Sequence, residues 1–146
     1  MSFHERLVYV AKVPLLGRVA NAVLRVLGVN IPSGVVVGRG LSLPHGAVGL
    51  VVHERTVLGD NVKLYQGVTL GRSDTHLAPD VTRPGGRILV GDDVVIGASA
   101  TVLFRSGETL TIGDRAVVGA NALVLRSVPA GEIWAGNPAR RVATRE

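Results

Sequence analysis

No cysteine occurs among the 146 residues, which excludes disulfide staples, thiolate nucleophiles and cysteine-based metal sites together. Aromatic residues supply only 3% of the chain and charged residues 18%. Any core must therefore be aliphatic, and the stacking platforms of a single-strand nucleic-acid binder are missing. No apolar run reaches membrane-spanning length, because residues 7–29, the most apolar stretch near the start, are interrupted by Lys12, Arg18 and Arg25 and broken at Pro14. A secretory leader pattern is absent as well, so the sequence predicts a cytoplasmic protein not held at a membrane.

Hydrophobic residues make up 47%, accompanied by 19 glycines and seven prolines spread along the whole chain. This composition predicts one ordered domain of short strands with frequent turns. An excess of 16 Lys and Arg over 11 Asp and Glu gives +5, which suits an anionic partner. The basic residues are scattered and no helix-turn-helix or zinc-finger spacing occurs, so a phosphorylated small molecule is expected and nucleic acid is not.

The chain divides at residue 29. Ser2 and Glu5 form a capping-box pattern that opens a short helix, which Pro14 stops. A second amphipathic helix is predicted over 15–27, burying Leu16, Val19, Ala20, Val23, Val26 and Leu27 and exposing Arg18, Asn21 and Arg25. Both are expected to lay their apolar faces against the rest of the protein, with a membrane surface as the lesser alternative.

From residue 30 to 142 the period changes, leaving residues 143–146 as a tail. An aliphatic residue returns every six positions: Ile31, Val37 and Leu43; then Val52, Leu58, Leu64 and Leu70; then Val90, Ile96 and Val102; then Ile112, Val118 and Val124. Glycine often follows it, and a small or branched residue sits four places on, as at Val62, Val68, Val94, Ala100, Ala116 and Ala122. Six residues supply one short strand and one corner, so three units close a triangular coil that stacks on the next at about 4.8 Å. Glycine is expected at corners that leave no room for a side chain or need positive φ. A β-sandwich would instead turn every 8 to 12 residues or so without a six-residue phase. The steps that break the phase, above all the excursion over 72–87, are expected to be loops that select an acceptor or make subunit contacts.

Written out, Gly38-Arg39-Gly40-Leu41-Ser42-Leu43-Pro44-His45, Val51-Val52-His53-Glu54, the run from Leu58 to Gly71, and the closing Ala135-Gly136-Asn137-Pro138-Ala139-Arg140 resemble the serine acetyltransferase branch of the hexapeptide acyltransferases. The resemblance implies an all-β fold, a left-handed parallel β-helix with a short helical segment before it. It also implies a homotrimer with sites between subunits, and acetyl transfer from acetyl-CoA to a small-molecule hydroxyl. His45 falls on the catalytic position, and imidazole suits the removal of a hydroxyl proton at neutral pH. The absence of cysteine fits direct transfer without an acyl-enzyme.

The family's aspartate partner of that histidine corresponds to Asn30, which can still accept a ring N–H and set the tautomer, and Glu54 matches the family's glutamate. His53, Arg87 and His76 are the candidates for binding the acceptor, with Arg87 at the register of a second family histidine. Gly71, Ala98 and Ala120 match small positions along the pantetheine arm, while Arg72, Arg140 and Arg141 are candidates for the nucleotide phosphates. Pro44 and His53 depart from the serine enzymes, so a sugar or natural product stands as an alternative acceptor. A non-catalytic scaffold is a further alternative, and so is zinc held by His45, His53 and His76, although no metal is expected because the close histidine pair of zinc-binding relatives is missing.

Overall fold

The structure is a computed structural model that describes residues 1–77 and 85–146. Residues 78–84 of the predicted excursion lie outside the described residues. Two helices lead the chain, α1 (Phe3–Val10) and α2 (Gly17–Val26). Among the described residues fourteen short strands follow: β1 (Val29–Asn30), β2 (Val36–Val37), β3 (Leu50–Val52), β4 (Thr56–Leu58), β5 (Lys63–Leu64), β6 (Thr69–Arg72), β7 (Arg87–Val90), β8 (Val95–Ile96), β9 (Thr101–Phe104), β10 (Thr109–Ile112), β11 (Val117–Val118), β12 (Leu123–Val124), β13 (Glu132–Ala135) and β14 (Arg140–Thr144).

The strands form three sheets, ordered β1-β3-β6-β9-β12, β2-β4-β7-β10 and β5-β8-β11-β13-β14, here termed walls A, B and C. The pairings are parallel except that of β13 with β14. Along the chain the walls are visited in rotation, so each circuit lays one short segment on each wall. In-register columns result: Val52, Leu70, Val102 and Val124 on wall A; Leu58, Val90 and Ile112 on wall B; Leu64, Ile96, Val118 and Trp134 on wall C. All are buried, and the residues at the small or branched positions pack between them. Of the predicted inward residues only Val37 is merely half-buried. It lies on β2, where wall B ends and no further layer covers it.

The glycines after the aliphatic residues meet close stacking, not positive φ. A β-carbon on Gly97 would lie 2.7 Å from the Ala120 amide nitrogen of the next coil. The left-handed backbone comes two residues later, at Asn61, Asp93, Ser99, Arg115 and Asn121, with φ between 55° and 59°.

Both halves of the capping box at Ser2 and Glu5 are formed. The predicted face of α2 is corrected, however: Gly17, Ala20 and Leu24 are buried, whereas Leu16, Val19 and Val26 are exposed. Gly17 sets this rotation, since a β-carbon there would lie 2.6 Å from the Ala11 carbonyl oxygen. The small residues thus permit the close helix approach that the valines would block.

The first coil has no coil before it, and α1 supplies the missing partners. The Tyr9 hydroxyl donates to the Gly38 carbonyl at 2.8 Å and accepts the Leu41 N–H at 3.1 Å. Lys12 Nζ donates to the Pro32, Ser33 and Val35 carbonyls, and the Glu5 carboxylate accepts the Leu43 N–H at 2.9 Å. At the far end β14 covers wall C, and the Arg145 N–H donates to the Gly131 carbonyl, tying the predicted tail to the last layer. Among the described residues no helix is long and apolar enough to cross a membrane.

The columns make the stability of the prism testable. Ile96→Ala leaves a cavity in a fully buried column and is expected to cost about 2–5 kcal/mol. Thr56 is 1% exposed and its hydroxyl has no hydrogen-bond partner, so the isosteric Thr56→Val is expected to stabilise by about 1 kcal/mol. Denaturant melts of the two variants should shift in opposite directions.

Candidate active site

Each step that breaks the six-residue phase is a corner. The step from Leu43 to Val52 turns wall C into wall A through the short 3-10 segment Pro44–Ala47. The other two long steps, across 72–87 and 104–109, both turn wall A into wall B on neighbouring coils. The prism therefore has one edge with a tight histidine turn and another with two adjoining insertions.

On the C–A edge His45 is exposed, with φ 55° and ψ 25°. Gly46 and Ala47 follow at φ 70° and 49°, so the left-handed region is occupied three times running. The His45 ring stands 6.3 Å from the Tyr65 ring, centroid to centroid. Gln66, next on this edge, has a buried Oε1 without a hydrogen-bond partner. Ala98 and Ala120 occupy the same edge on the following coils, each two residues after an inward aliphatic, as His45 follows Leu43. Three coil spacings separate the His45 layer from the Ala120 layer, about 14 Å. The segment 136–139 stacks on β12 through the Leu123 amide and carbonyl. Beside it a shallow cleft of about 280 Å³ is lined by Leu123, Leu125, Arg126, Pro138, Ala139 and Arg140. The Arg126 guanidinium lies 5.3 Å above the Trp134 ring.

On the A–B edge His53 packs edge-on against Phe104, with centroids 5.0 Å apart. Its Nδ1 accepts the Arg55 N–H at 3.1 Å. Burial, aided by nearby Arg55 and Arg72 and opposed by Glu54, holds the His53 imidazole below its ordinary range. Arg72 Nε lies 3.3 Å from Asp74 Oδ1, and Asp74 accepts the Ser106 N–H and hydroxyl, each at 3.0 Å. Burial would raise the Asp74 carboxyl, but these bonds, with the Arg72 charge, hold it below the usual carboxylate range. Asp74 and Ser106 thus join the two insertions. Below them a cleft of about 480 Å³ is lined by residues that include Glu54, Arg55, Thr56 and Arg87. His76 is exposed nearby in the chain, within the excursion.

Within the chain the candidate residues separate into two groups. His45, Ala98 and Ala120 share the C–A edge, with Arg140 in the cleft by the segment stacked on β12; His53, Glu54, Arg72, His76 and Arg87 belong to the A–B corners. Arg72 is thus not brought to Arg140, and Arg141 is engaged by Glu132 at 3.2 Å. Gly71 lies on β6, where a β-carbon would come 3.3 Å from Leu103 Cδ2. Asn30 pairs with Val51 at the end of wall A; among the described residues no hydrogen bond links its side chain to His45. Nor, among the described residues, do three His, Cys, Asp or Glu side chains gather as a metal-binding group.

Sequence reasoning missed Tyr65, Gln66 and Arg126. For Gln66 the signal was available: it has the same phase relative to Leu64 as His45 has to Leu43.

The family described as hexapeptide repeat of succinyl-transferase matches residues 87–126 and 109–132. A probable serine acetyltransferase of Oryza sativa is 44% identical over 132 residues, covering 90% of this chain and 36% of that protein. Serine acetyltransferase from Neisseria gonorrhoeae superposes with a TM-score of 0.76 at 33% identity, covering 97% of this chain and 52% of that one. Serine acetyltransferase in complex with coenzyme A from Brucella abortus gives 0.67 at 30% identity, with 90% and 47% covered.

Repeat, register and likeness together define a hexapeptide-repeat protein similar to acyltransferases that carry this repeat. The chain is similar to serine acetyltransferases over most of its own length, and it spans about half or less of the length of these relatives.

Burial of the His53 imidazole ties the stability of the fold to pH. A neutral imidazole is favoured in the folded state, so its contribution is present above the unfolded value, about 6.5, and is lost as pH falls through the folded one. Melting temperature is expected to fall on acidification from pH 7 toward 5, with a shallower slope in His53→Gln.

Proposed function

We propose that the protein is an acetyl-CoA-dependent O-acetyltransferase with serine as acceptor, His45 serving as general base. The observation that carries this reading is the C–A edge, where an exposed imidazole on a tight turn stands in line with two alanines on successive coils. An edge stripped of side-chain bulk fits an extended pantetheine arm, and Arg140, with Arg126 beside it, offers guanidinium groups to phosphates near its far end. Relatives in this branch are named for serine, and one of them was crystallised with coenzyme A.

In this reading the fold is the left-handed parallel β-helix of the family and the active unit is a homotrimer in the cytoplasm. The division of the candidate residues supports a site shared between protomers. The C–A edge of one copy would supply His45, and the A–B edge of its neighbour would supply His53, Glu54, Arg72, His76 and Arg87. Arg87 suits a carboxylate and Glu54 an ammonium group, the two charges of a free amino acid.

Acetyl-CoA, when bound, supplies the thioester acetyl group. His45 takes the hydroxyl proton as the acceptor oxygen forms its bond to the acetyl carbon, and passes that proton to the departing sulfur. Asn30 and Glu54 are the candidates for setting the imidazole tautomer and balancing its charge.

The test is release of free CoA thiol with a panel of hydroxylated acceptors, serine and sugars included. His45→Ala is expected to lower kcat by about 10²–10⁴ while acetyl-CoA affinity is retained. Turnover unaffected by this change, or binding and turnover lost together, would overturn the assignment of the base. Turnover with a sugar and not with serine would overturn the acceptor.

A further inference from the structure

The turn that carries His45 is an expensive piece of backbone. Three consecutive residues, two of them not glycine, occupy the left-handed region, which non-glycine residues keep only where their surroundings hold them. Within the turn the Gly46 N–H donates to the Leu43 carbonyl at 3.2 Å, closing a loop around His45. The whole turn therefore hangs from Leu43, whose side chain is 2% exposed.

Wall C has no strand before Ser42, which bridges forward to Lys63. The outward N–H of Leu43 meets instead a carboxylate from α1. Glu5 is itself 8% exposed. One of its oxygens accepts the Leu43 N–H at 2.9 Å and the other accepts the Ser2 N–H of the capping box. One side chain thus starts the helix and anchors the turn. His4, beside it, closes the turn from above: a β-carbon on Gly46 would come within 3.0 Å of the His4 ring. Tyr9 docks the same helix face farther along, at Gly38 and Leu41, without touching the turn.

From this geometry we infer that Glu5 is a positioning residue for His45. Helix α1 is then a brace that holds the imidazole in its reactive orientation by fixing the Leu43 amide, beyond its part in stability. The inference rests on His45 being the base. A base displaced by about 1 Å can lose up to about a hundredfold in rate, so the brace acts on kcat and leaves acetyl-CoA binding, on later coils, alone.

The experiment compares Glu5→Ala, Glu5→Gln and Tyr9→Phe in the full chain by melting temperature, thiol-release kinetics with serine, and the nitrogen-coupled imidazole NMR signals of His45. Tyr9→Phe loosens α1 without freeing Leu43 and serves as the stability control; Gln keeps an acceptor for the Leu43 N–H. Glu5→Ala is expected to lower kcat at least tenfold with KM for acetyl-CoA within twofold, and to shift or broaden the His45 signals. Glu5→Gln should restore most of the rate, and Tyr9→Phe should lower melting temperature with kcat within twofold.

Equal loss of kcat in Glu5→Ala and Tyr9→Phe, no rescue by Gln, or unchanged His45 signals would overturn the inference. Absence of turnover in the unmodified protein would count against the enzymatic reading instead. The His45 signals would then still decide whether Glu5 orders the turn. If Glu5→Ala fails to fold, Glu5→Asp takes its place, since the shorter side chain draws the carboxylate back from the Leu43 N–H: a larger kcat loss and His45 signal change than in Tyr9→Phe support the brace, and equal or smaller ones overturn it.

Discussion

Coil-to-coil hydrogen bonding holds every layer of this protein at the spacing of a parallel sheet, and only at that spacing can the aliphatic columns touch. Val52, Leu70, Val102 and Val124 are in register because each wall strand donates to and accepts from its neighbours in the adjoining coils. A slip by one residue on any strand would turn its column residue outward and its neighbour inward. Burial and backbone pairing therefore enforce the same register, and the corners inherit it. His45, Gln66, Ala98 and Ala120 share an edge because Leu43, Leu64, Ile96 and Val118 share a column.

Stacking of this kind has a cost at its ends, where the last layer leaves strand edges without partners. This chain meets that cost differently at each end. At the finish, β14 folds back antiparallel over β13. At the start, Glu5, Tyr9 and Lys12, successive residues on one face of α1 and its C-terminal end, receive or supply the hydrogen bonds that a preceding coil would have made. The first coil is also where the columns are least regular, as the half-buried Val37 records.

The prism was legible in the sequence because its cause is local and repeated: one inward aliphatic per wall leaves a six-residue phase that survives long interruptions. The candidate His45 is legible through its motif, and its edge through the phase that also marks Gln66. The two-edge division of the other candidates was not, since spacing alone does not say which corner a residue turns. The buried face of α2 is not legible, because its valine stripe is the more hydrophobic face, whereas the contact is decided by how closely Gly17 and Ala20 let the helices approach. The capping box was recognised as a helix start, but the second oxygen of Glu5 reaches a residue 38 positions away, and no local pattern encodes that bond.

Both long insertions leave from a single edge, on adjoining coils, and are tied to each other by Asp74 and Ser106. The C–A edge carries the tight turn between Leu43 and Val52, and the B–C edge keeps the six-residue phase among the described residues. Change is therefore channelled: residues can be added, removed or exchanged along the A–B ridge without disturbing the register that sets His45 in place. A scaffold organised this way can acquire a new partner molecule by rebuilding one ridge, while the tightly wound turn across the prism stays as it is.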